Sequence, residues 1–456
     1  MPWWTSPRRL QDSEVYCQQV LKAGNAAGVS ESPHKKNRWV PLLLWSRIPA
    51  DMLTYLSRHS RWLLVFTFTT ALAAQTAVLQ PLSEKPVPGA SVKLKSDFYV
   101  PATPDSIRWG YLPDNAAKAV ITVPSGATVT FDTVSHEGIL EDQGRDPAKY
   151  FGGFGVSPNQ VLNDAKAIAA SNVVHDFAKD GPHVVMGPVA LENAQPGDVL
   201  KVEMISLVPR VPYGVISNRH GKGALPGEFP ENSGSQPGAS ASSPQLYNNV
   251  SKFVPIKQIN GKWYGILSAG AGKEAHIPVA PFMGTMGVTP NVSGKPNSIP
   301  PGDYGGNMDI HNLTAGATLY LPVQVSGGMF FIADPHFAQG NGEVALTAIE
   351  GSLRTTLRFT VLKAGDTAIP ANGKLTGPFA ETPDYWIAIG PDPDLNEAMK
   401  KATREAVRFL SEKLGMDRAT AFAYLSAAAD FEVSQVVDKT KGIHALIRKK
   451  DFSGNK

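Results

Sequence analysis

The sequence predicts a mainly β protein, with β-sandwich or barrel-like lobes and a small α+β lobe at the carboxyl end. Glycine and proline are abundant, at 42 and 37 of 456 residues, and charged residues make up only 18%. Such a composition favours many turns and short strands over long charged helices. Short alternating apolar stretches follow turn residues at several places, and clear helical periodicity begins only after residue 390.

A chain of this length exceeds the size at which a single hydrophobic core stops growing, so we expect more than one lobe. We divide the chain into five segments. They are a leader or over-extended amino terminus at 1–51, a signal peptide at 52–74, a mostly β lobe at 85–265, a β lobe carrying the site motifs at 266–390, and a helical α+β segment at 391–450.

A secretory signal is predicted near the amino end. The basic residues of 58–61 precede an apolar run of thirteen residues, Trp62–Ala74, which ends in small residues. This order is typical of a signal peptide, and the run is too short to cross a bilayer as a helix. A buried core helix would show a polar stripe, and this run shows only threonines. With Met52 as the start, we expect export to the periplasm or the medium, with no membrane anchor after cleavage.

Charge and cysteine content exclude several kinds of site. The first 74 residues hold nine Lys/Arg and four Asp/Glu, so the remainder carries 34 basic against 36 acidic residues and a net charge of −2. That balance shows no basic face for nucleic acid. The single cysteine, Cys17, precedes the predicted signal. A mature chain would therefore have no disulfide, thiolate nucleophile or cysteine metal ligand.

The β segments follow a repeated pattern of turn and alternating strand. Residues 120–131 show two alternating stretches joined by Pro-Ser-Gly, which predicts a hairpin. Similar turn and strand patterns occur at 196–203 and 315–323. Residues 221–249 are rich in Gly, Ser, Pro and Asn and cannot bury a core, so we predict a mobile loop there. It is either a lid over a site or a tolerated insertion.

Helices are predicted chiefly near the carboxyl end. Residues 394–397 form a capping-box pattern, and Gly415 ends the helix that follows. The apolar positions of this helix recur on one face: Leu395, Met399, Ala402, Ala406, Leu410 and Leu414. A second helix is expected at 417–428 and a strand at 431–437, which together make the small α+β lobe.

The stretch 300–350 has the strongest indication of a functional site. Two polar clusters rich in glycine, 301–309 and 334–343, flank an alternating apolar strand. Either cluster alone would indicate only turns. The strand between them is too short for a linker and too apolar for exposure on both faces. Asp334 comes at the end of this apolar stretch, where an unpaired acid would be costly, so a ligand or partner is expected.

These motifs resemble a known family. Gly-Gly-Asn-Met-Asp at 305–309 and Asp-Pro-His-Phe-Ala-Gln-Gly-Asn-Gly-Glu at 334–343 are similar to the paired motifs of the acetamidase/formamidase family. Further similar segments lie at 135–138, 183–188, 196–198, 276–278, 415–417, 436–438 and 441–445. The resemblance covers most of 85–450. The family more often has Gly in place of Pro335 and Asp in place of Asn341.

The resemblance implies an amidohydrolase that converts a formamide- or acetamide-type substrate to carboxylate and ammonia. The sequence has no Gly-x-Ser-x-Gly elbow and no cysteine after the signal. Elimination leaves a water nucleophile, activated by a carboxylate or by a bound metal ion. Two alternatives stay open. One is a non-catalytic β protein that binds a ligand or ion in the same pocket. The other is a hydrolase of a larger carboxamide, admitted by the loop 221–249.

The acids and histidines of the two clusters are the candidate site residues. Asp309, Asp334 and His336 are the first choices as metal ligands, with His136 as a fourth from the amino-terminal lobe. Glu343 is the predicted general base, and it forms the candidate catalytic set together with His336 and Asp309. Zinc is the first choice of ion because it takes N and O ligands in open catalytic sites, whereas calcium or magnesium would prefer oxygens alone.

Other polar residues have simpler interpretations. Asp303, beside Pro301-Gly302, is expected to shape a turn. His336 follows a proline, so a surface turn is an alternative for it. Three further histidines, His183, His220 and His276, are expected to be structural or loop residues. Of molecular partners we expect a small amide and no nucleic acid, and a homo-oligomer is left open.

Overall fold

The computed structural model describes residues 78–82 and 96–452. The predicted leader and signal peptide lie outside the described residues. Within the described part of the chain, no helix is both long and apolar enough to cross a membrane.

Strands dominate the described residues. In chain order they are β1 Phe98–Val100, β2 Ile107–Trp109, β3 Ile121–Val123, β4 Thr128–Asp132, β5 Val184–Leu191, β6 Val199–Pro209, β7 Tyr213–Asn218, β8 Val250–Ile259, β9 Lys262–Ser268, β10 Glu274–Pro278, β11 Phe282–Val288, β12 Gly305–Asn307, β13 Thr318–Pro322, β14 Phe330–Ala338, β15 Ile349–Glu350, β16 Leu353–Leu362, β17 Phe379–Glu381, β18 Tyr385–Asp392, β19 Asp430–Gln435 and β20 Lys441–Arg448. The prediction of a mainly β fold is confirmed.

The strands form two sheets. One has nine strands in the order β1-β4-β16-β6-β13-β17-β18-β20-β19. The other has eleven strands, with the path β10-β9-β8-β7-β15-β14-β11-β12, and β5 joins it by pairing with β14, β2 and β3. Both sheets draw strands from either side of residue 265. The predicted division of the chain at that residue stays a prediction.

Aromatic side chains connect the two sheets. Phe330 of β14 packs on Phe359 of β16 with ring centroids 4.8 Å apart, and on Phe131 of β4 at 6.1 Å. All three rings are fully buried. Packing between faces in this way is the arrangement of a β-sandwich core. Because β14 is buried along its whole length, its polar residues are held inside the protein.

The predicted hairpin at 120–131 is wrong. Its first half, β3, pairs in parallel with β5 of the eleven-stranded sheet. Its second half, β4, pairs with β1 and β16 of the nine-stranded sheet. The Pro-Ser-Gly turn therefore leads from one sheet to the other. Alternation is the same for two strands of a hairpin and for two strands that change sheets, and only the distant partner strands decide between them.

Five helices occur among the described residues: α1 Pro147–Gly152, α2 Asn163–Ala169, α3 Pro370–Gly373, α4 Leu395–Leu414 and α5 Arg418–Ala428. The ends of α4 are where the sequence predicts them. The Asp394 side chain accepts hydrogen bonds from the backbone N–H groups of Asn396 and Glu397, and Gly415 closes the helix with a φ of 69°. Caps of this kind satisfy groups that the helix itself leaves unpaired.

The apolar face of α4 is slightly rotated from the predicted stripe. Ala402, Ala406 and Leu410 are buried as expected, but Met399 is 41% exposed. Ala398 is buried in its place, because the helix packs its small residues closely against β18 and β20. The second helix and the strand after it are also observed, as α5 and β19.

Residues 219–249 connect β7 to β8. This segment contains no strand and only one short 3-10 turn, Pro244–Tyr247. Whether the segment moves stays a prediction.

Candidate active site

A cavity of about 270 Å³ lies next to the site motifs. Six buried ionisable residues line its inner end: His136, His183, Asp334, Glu343, Glu350 and Asp438. Each of them is only 1% to 7% exposed. Buried ionisable groups are costly unless they are paired or bind an ion. Their convergence on one cavity therefore marks a candidate active site.

Different parts of the fold bring these residues together. His136 follows β4 of the nine-stranded sheet, and Asp438 follows β19 of the same sheet. Asp334 lies in β14 and Glu350 in β15 of the other sheet, with Glu343 in the loop between them. The site thus lies where loops and strands of both sheets meet.

The sequence placed Asp334 at the end of a strand and allowed His336 a surface turn, and the structure corrects both. They lie inside β14, which runs on to Ala338, and His336 is fully buried. Side chains two residues apart on a strand point to the same face. The edge of the Phe282 ring meets the His336 ring at a centroid distance of 5.0 Å. That contact fixes the plane of the imidazole.

Gly284 of β11 makes room for the acids. A Cβ atom at this position would lie 2.4 Å from Asp309 Oδ1 and 2.8 Å from Asp334 Oδ2. Any side chain there would displace the two carboxylates. Glycine within a strand often marks a close approach of this kind.

Three acids of the site have a left-handed backbone. The φ angles are 51° at Asp309, 60° at Asp334 and 47° at Glu343. Such a conformation costs roughly 1–3 kcal/mol at a residue other than glycine and persists where the surrounding structure enforces it. Strained residues of this kind concentrate at functional sites. Their occurrence at three acids of one cluster supports a functional interpretation.

His336 is surrounded by carboxylates. Its Nε2 atom lies 3.0 Å from Glu350 Oε1 and 3.1 Å from Asp334 Oδ2. Neither contact has the geometry of a hydrogen bond, and both ring nitrogens lack a hydrogen-bond partner among the described residues. Burial opposes protonation of this ring, but the charges of Glu350 and Asp334 outweigh it and hold the pKa of His336 well above its usual value.

His136 approaches the same acids from the other sheet. Its Nδ1 atom lies 3.5 Å from Asp334 Oδ1, and its Nε2 atom lies 3.2 Å from Glu137 Oε1. His183 was expected to be structural, but its Nε2 atom lies 3.6 Å from Asp334 Oδ2 and it lines the cavity. The Ser298 hydroxyl holds its other nitrogen at 2.8 Å. His183 is therefore part of the candidate site.

Glu137 connects His136 to a set of fixed polar groups. Arg219 donates to Glu137 Oε1 at 3.0 Å and to Asp142 Oδ2 at 2.6 Å. The Ser217 hydroxyl donates to Glu137 Oε2 at 2.6 Å. These bonds keep Glu137 ionised, since burial is outweighed by Arg219 and its pKa is far below the usual range. An oriented carboxylate beside a histidine fixes the tautomer and direction of the ring.

Several carboxylate oxygens at the site have no hydrogen-bond partner within the described part of the chain. They are both oxygens of Asp309, Oδ1 of Asp334, Oε2 of Glu350 and Oδ2 of Asp438. An unpaired buried charge costs several kcal/mol. A positive ion or shared protons must compensate this concentration of negative charge.

The pKa values of the acids reflect the same crowding. Burial, together with the charges of Asp309 and Asp438, raises the pKa of Glu343 well above its usual value. Burial and the Asp334 charge raise the pKa of Asp309 to about 7. Asp334 is the exception, because the neighbouring His336 and His183 outweigh burial and lower its pKa. Like charges at close range thus hold protons on part of the cluster.

The predicted ligands come together, but in two groups. His136 and Asp334 lie with Glu350, and Asp309 and His336 lie with Glu343. In each group the potential ligand atoms lie within 4.8 Å of one another. Asp309 and His336 are fully buried behind the lining of the cavity, which Glu343 reaches directly. The roles assigned to these residues stay predictions.

Three residues of the cluster were not among the predicted catalytic residues or metal ligands. Glu350 ends the apolar stretch Ala348-Ile349-Glu350, and a single acid at the end of a buried strand was the available signal. Asp438 and His183 belong to segments quoted for the family resemblance, and that was their only signal. The other simple interpretations fit the structure better. Asp303 and His276 are exposed, and His220 Nε2 pairs with the carbonyl oxygen of Asn248 at 3.0 Å.

Fold and site together define a class: a mainly β protein with a buried carboxylate–histidine centre at the end of a cavity. Residues 293–447 match the profile of the Acetamidase/Formamidase family. This segment of the chain is similar to the acetamidase/formamidase family, as the paired motifs indicated.

Two relatives extend the match beyond that profile. A formamidase of Methylophilus methylotrophus is 26% identical over 312 residues, which are 59% of this chain and 76% of the relative. A putative formamidase of Schizosaccharomyces pombe is 30% identical over 254 residues, 48% of this chain and 61% of the relative.

A solved structure shows the same fold. The crystal structure of an acetamidase from Bacillus halodurans superposes with a TM-score of 0.57 and 23% identity. The match covers 77% of this chain and 98% of that one.

Proposed function

We propose that the protein hydrolyses a short-chain carboxamide to a carboxylate and ammonia. The relatives named above are a formamidase and a putative formamidase. The observation that carries the proposal is the position of His336 Nε2, at 3.0 and 3.1 Å from two carboxylate oxygens without hydrogen-bond geometry. Groups that lie so close without a hydrogen bond between them are arranged to bind something else, such as a positive ion or a shared proton.

Water is the nucleophile in this proposal. The inner end of the cavity presents carboxylates and imidazoles, and the described residues include no cysteine. Hydrolysis requires that water lose a proton as its oxygen attacks the acyl carbon, and that the departing nitrogen gain one. We assign the base to Glu343, because it alone in its group lines the cavity. In its ionised form it would take the proton from water and return it to the nitrogen that leaves as ammonia.

The residues also fit a divalent metal ion. The unpaired oxygens of Asp309, Asp334 and Glu350 and the unpaired nitrogens of His136 and His336 are all buried. A mixture of imidazole nitrogen and carboxylate oxygen suits zinc, while the predominance of oxygen also admits calcium or magnesium. The chemistry such an ion supplies is activation of water and polarisation of a carbonyl group.

Ammonia release from formamide, acetamide and propionamide tests this function. We expect turnover of at least one of them, with kcat in the range of about 1–10³ s⁻¹ common among enzymes. The alternative is a non-catalytic protein that binds a ligand or ion in the same pocket. Binding of an amide without ammonia release, measured by calorimetry on metal-loaded protein, would favour that alternative.

Gly284→Ala tests whether the close packing of the acids matters. The added methyl would overlap the carboxylates of Asp309 and Asp334. We expect overpacking to cost about 1–3 kcal/mol of stability and to reduce turnover at least tenfold. Thermal unfolding and ammonia release measure the two effects. Gly152→Ala is the matched control, since its Cβ meets nothing within 4 Å. Equal activity of both variants would contradict the proposed geometry.

We also propose that the protein is exported. The support is the basic residues before the apolar run Trp62–Ala74, whose thirteen residues fall within the usual length of a signal core. Amino-terminal sequencing of protein expressed from Met52 should show the loss of about twenty residues. A cytoplasmic chain that still carries Trp62–Ala74 would reject the proposal.

A further inference from the structure

The cavity is larger than a short amide requires. Its volume is about 270 Å³, and a water molecule takes a share of roughly 30 Å³ in the liquid. The cavity therefore has room for about nine groups of that size. Formamide has three non-hydrogen atoms and acetamide four. Much of the space would stay unused by either.

The outer part of the cavity differs in character from the inner part. Beyond the acids, its walls include the partly exposed aromatic side chains of Phe177 and Tyr247 and aliphatic side chains of Ile299 and Leu346. The edge of one aromatic ring meets the face of the other, with centroids 5.2 Å apart and planes at 69°. Both rings are only partly buried. They offer an apolar, aromatic surface to whatever occupies the cavity.

This aromatic surface has fixed supports on both sides. Next to Phe177, the ring nitrogens of His175 lie 3.1 Å from Glu141 Oε1 and 3.0 Å from the Gly181 carbonyl oxygen. The His175 ring also stacks on Trp109 at 4.7 Å. Near Tyr247, the side chain of Asn249 donates to Asp142 Oδ2 at 2.9 Å. Two separate segments of the chain, each hydrogen-bonded to neighbouring residues, thus form one wall.

The inner end selects the orientation of a ligand. It is buried, whereas exposed residues such as Lys179 and Lys222 lie at the mouth. A substrate must therefore place its reacting group first and leave its bulk toward the mouth. Carboxylate oxygens accept hydrogen bonds, and a terminal –NH₂ group donates two. A primary carboxamide fits this end better than an amide whose nitrogen carries a substituent.

We propose that the substrate is a primary amide with an arylalkyl acyl group, whose ring lies against Phe177 and Tyr247 while its carboxamide reaches the acids. The proposal rests on the amide hydrolysis proposed above and extends its substrate class from short-chain amides to arylalkyl amides. The reaction balances: water adds its oxygen to the acyl carbon, the C–N bond breaks, and an arylalkyl carboxylate and ammonia result. No further reactant is needed.

Ammonia release from acetamide, phenylacetamide and 3-phenylpropionamide tests the proposal, with N-benzylformamide, assayed by formate release, as the reversed arrangement. We expect kcat/KM for the better aryl amide to exceed that for acetamide by at least about tenfold, since apolar groups in a fitting pocket are discriminated to this degree. N-benzylformamide should be a poor substrate, because its substituent lies on nitrogen.

Variants of the aromatic wall test whether its two rings cause the preference for aryl amides. Phe177→Ala, and separately Tyr247→Ala, should lower the ratio of kcat/KM for phenylacetamide to that for acetamide by about tenfold, through loss of ring contact and apolar area. Phe422→Ala is the matched control. Phe422 is an aromatic residue of α5 that is 60% exposed and does not line the cavity. Its removal should leave the ratio unchanged.

The outcomes separate this proposal from the one it rests on. Hydrolysis of acetamide without any gain for the aryl amides would overturn the substrate class alone. A preference for N-benzylformamide would overturn the proposed orientation. An unchanged ratio in both wall variants would remove the aromatic surface from recognition. Absence of ammonia from every primary amide, together with absence of formate from N-benzylformamide, would overturn the proposed function itself.

Discussion

His336→Ala should abolish amide hydrolysis and bound metal together. The imidazole lies in the interior of β14 between Asp334 and Glu350, at 3.1 and 3.0 Å. Its removal would leave Asp334 and Glu350 facing one another and would take away a nitrogen ligand of the proposed metal ion. We expect a loss of at least about 10³-fold in turnover, the scale seen when a principal electrostatic group is removed. Ammonia release and elemental analysis of the same preparation measure the two losses.

Controls distinguish the loss of a ligand from the loss of the fold. His276→Ala removes an exposed histidine and should keep full activity and metal content. Thermal unfolding of each variant shows whether the fold survives. Dialysis of the unaltered protein against a chelator should also stop hydrolysis, and one divalent metal should restore it. Fully active, metal-free protein would eliminate the metal and leave the carboxylates as the catalysts.

Glu343→Gln should have the second largest effect. The substitution keeps the shape of the side chain and removes its capacity to accept a proton. Turnover should fall by roughly 10²- to 10⁴-fold, which is the usual contribution of a general base. Binding of substrate should change little, so the effect should appear in kcat more than in KM. Steady-state ammonia release over a range of amide concentrations gives both values.

Asp303→Asn is the matched control for this variant. Asp303 belongs to the same sequence region, but it is exposed at a turn. Its loss should change turnover by less than about twofold, as surface changes away from a site usually do. Similar activity of the two variants would show that the division between site residues and turn residues is mistaken.

Local sequence patterns were sufficient for part of the fold. The cap at Asp394 and the stop at Gly415 depend on residues within one turn of the helix ends, and both are observed. The prediction of many short strands followed from turn residues and alternation. The pairing of β3 with β5 and of β4 with β16 could not be predicted in this way. A local sequence pattern contains no information about which distant strand a given strand pairs with.

The residues of the candidate site also fall into those that local sequence predicted and those that it did not. Asp309, Asp334, His336 and Glu343 were predicted because their motifs lie in one short stretch of sequence. Glu350 was missed, although it lies 3.0 Å from His336 Nε2.

The sequence by itself determined the class of fold, the ends of the helix and the two motifs that contain the acids and a histidine. Each of these features depends on residues that are close together in the chain. Only the tertiary structure decided which distant residues join them. It brought His136 and His183 to within 3.5 and 3.6 Å of Asp334. It also placed Gly284 where a methyl group would collide with two carboxylates. Such contacts arise from the packing of two sheets against each other, and burial there, rather than any motif, sets the charge of the site.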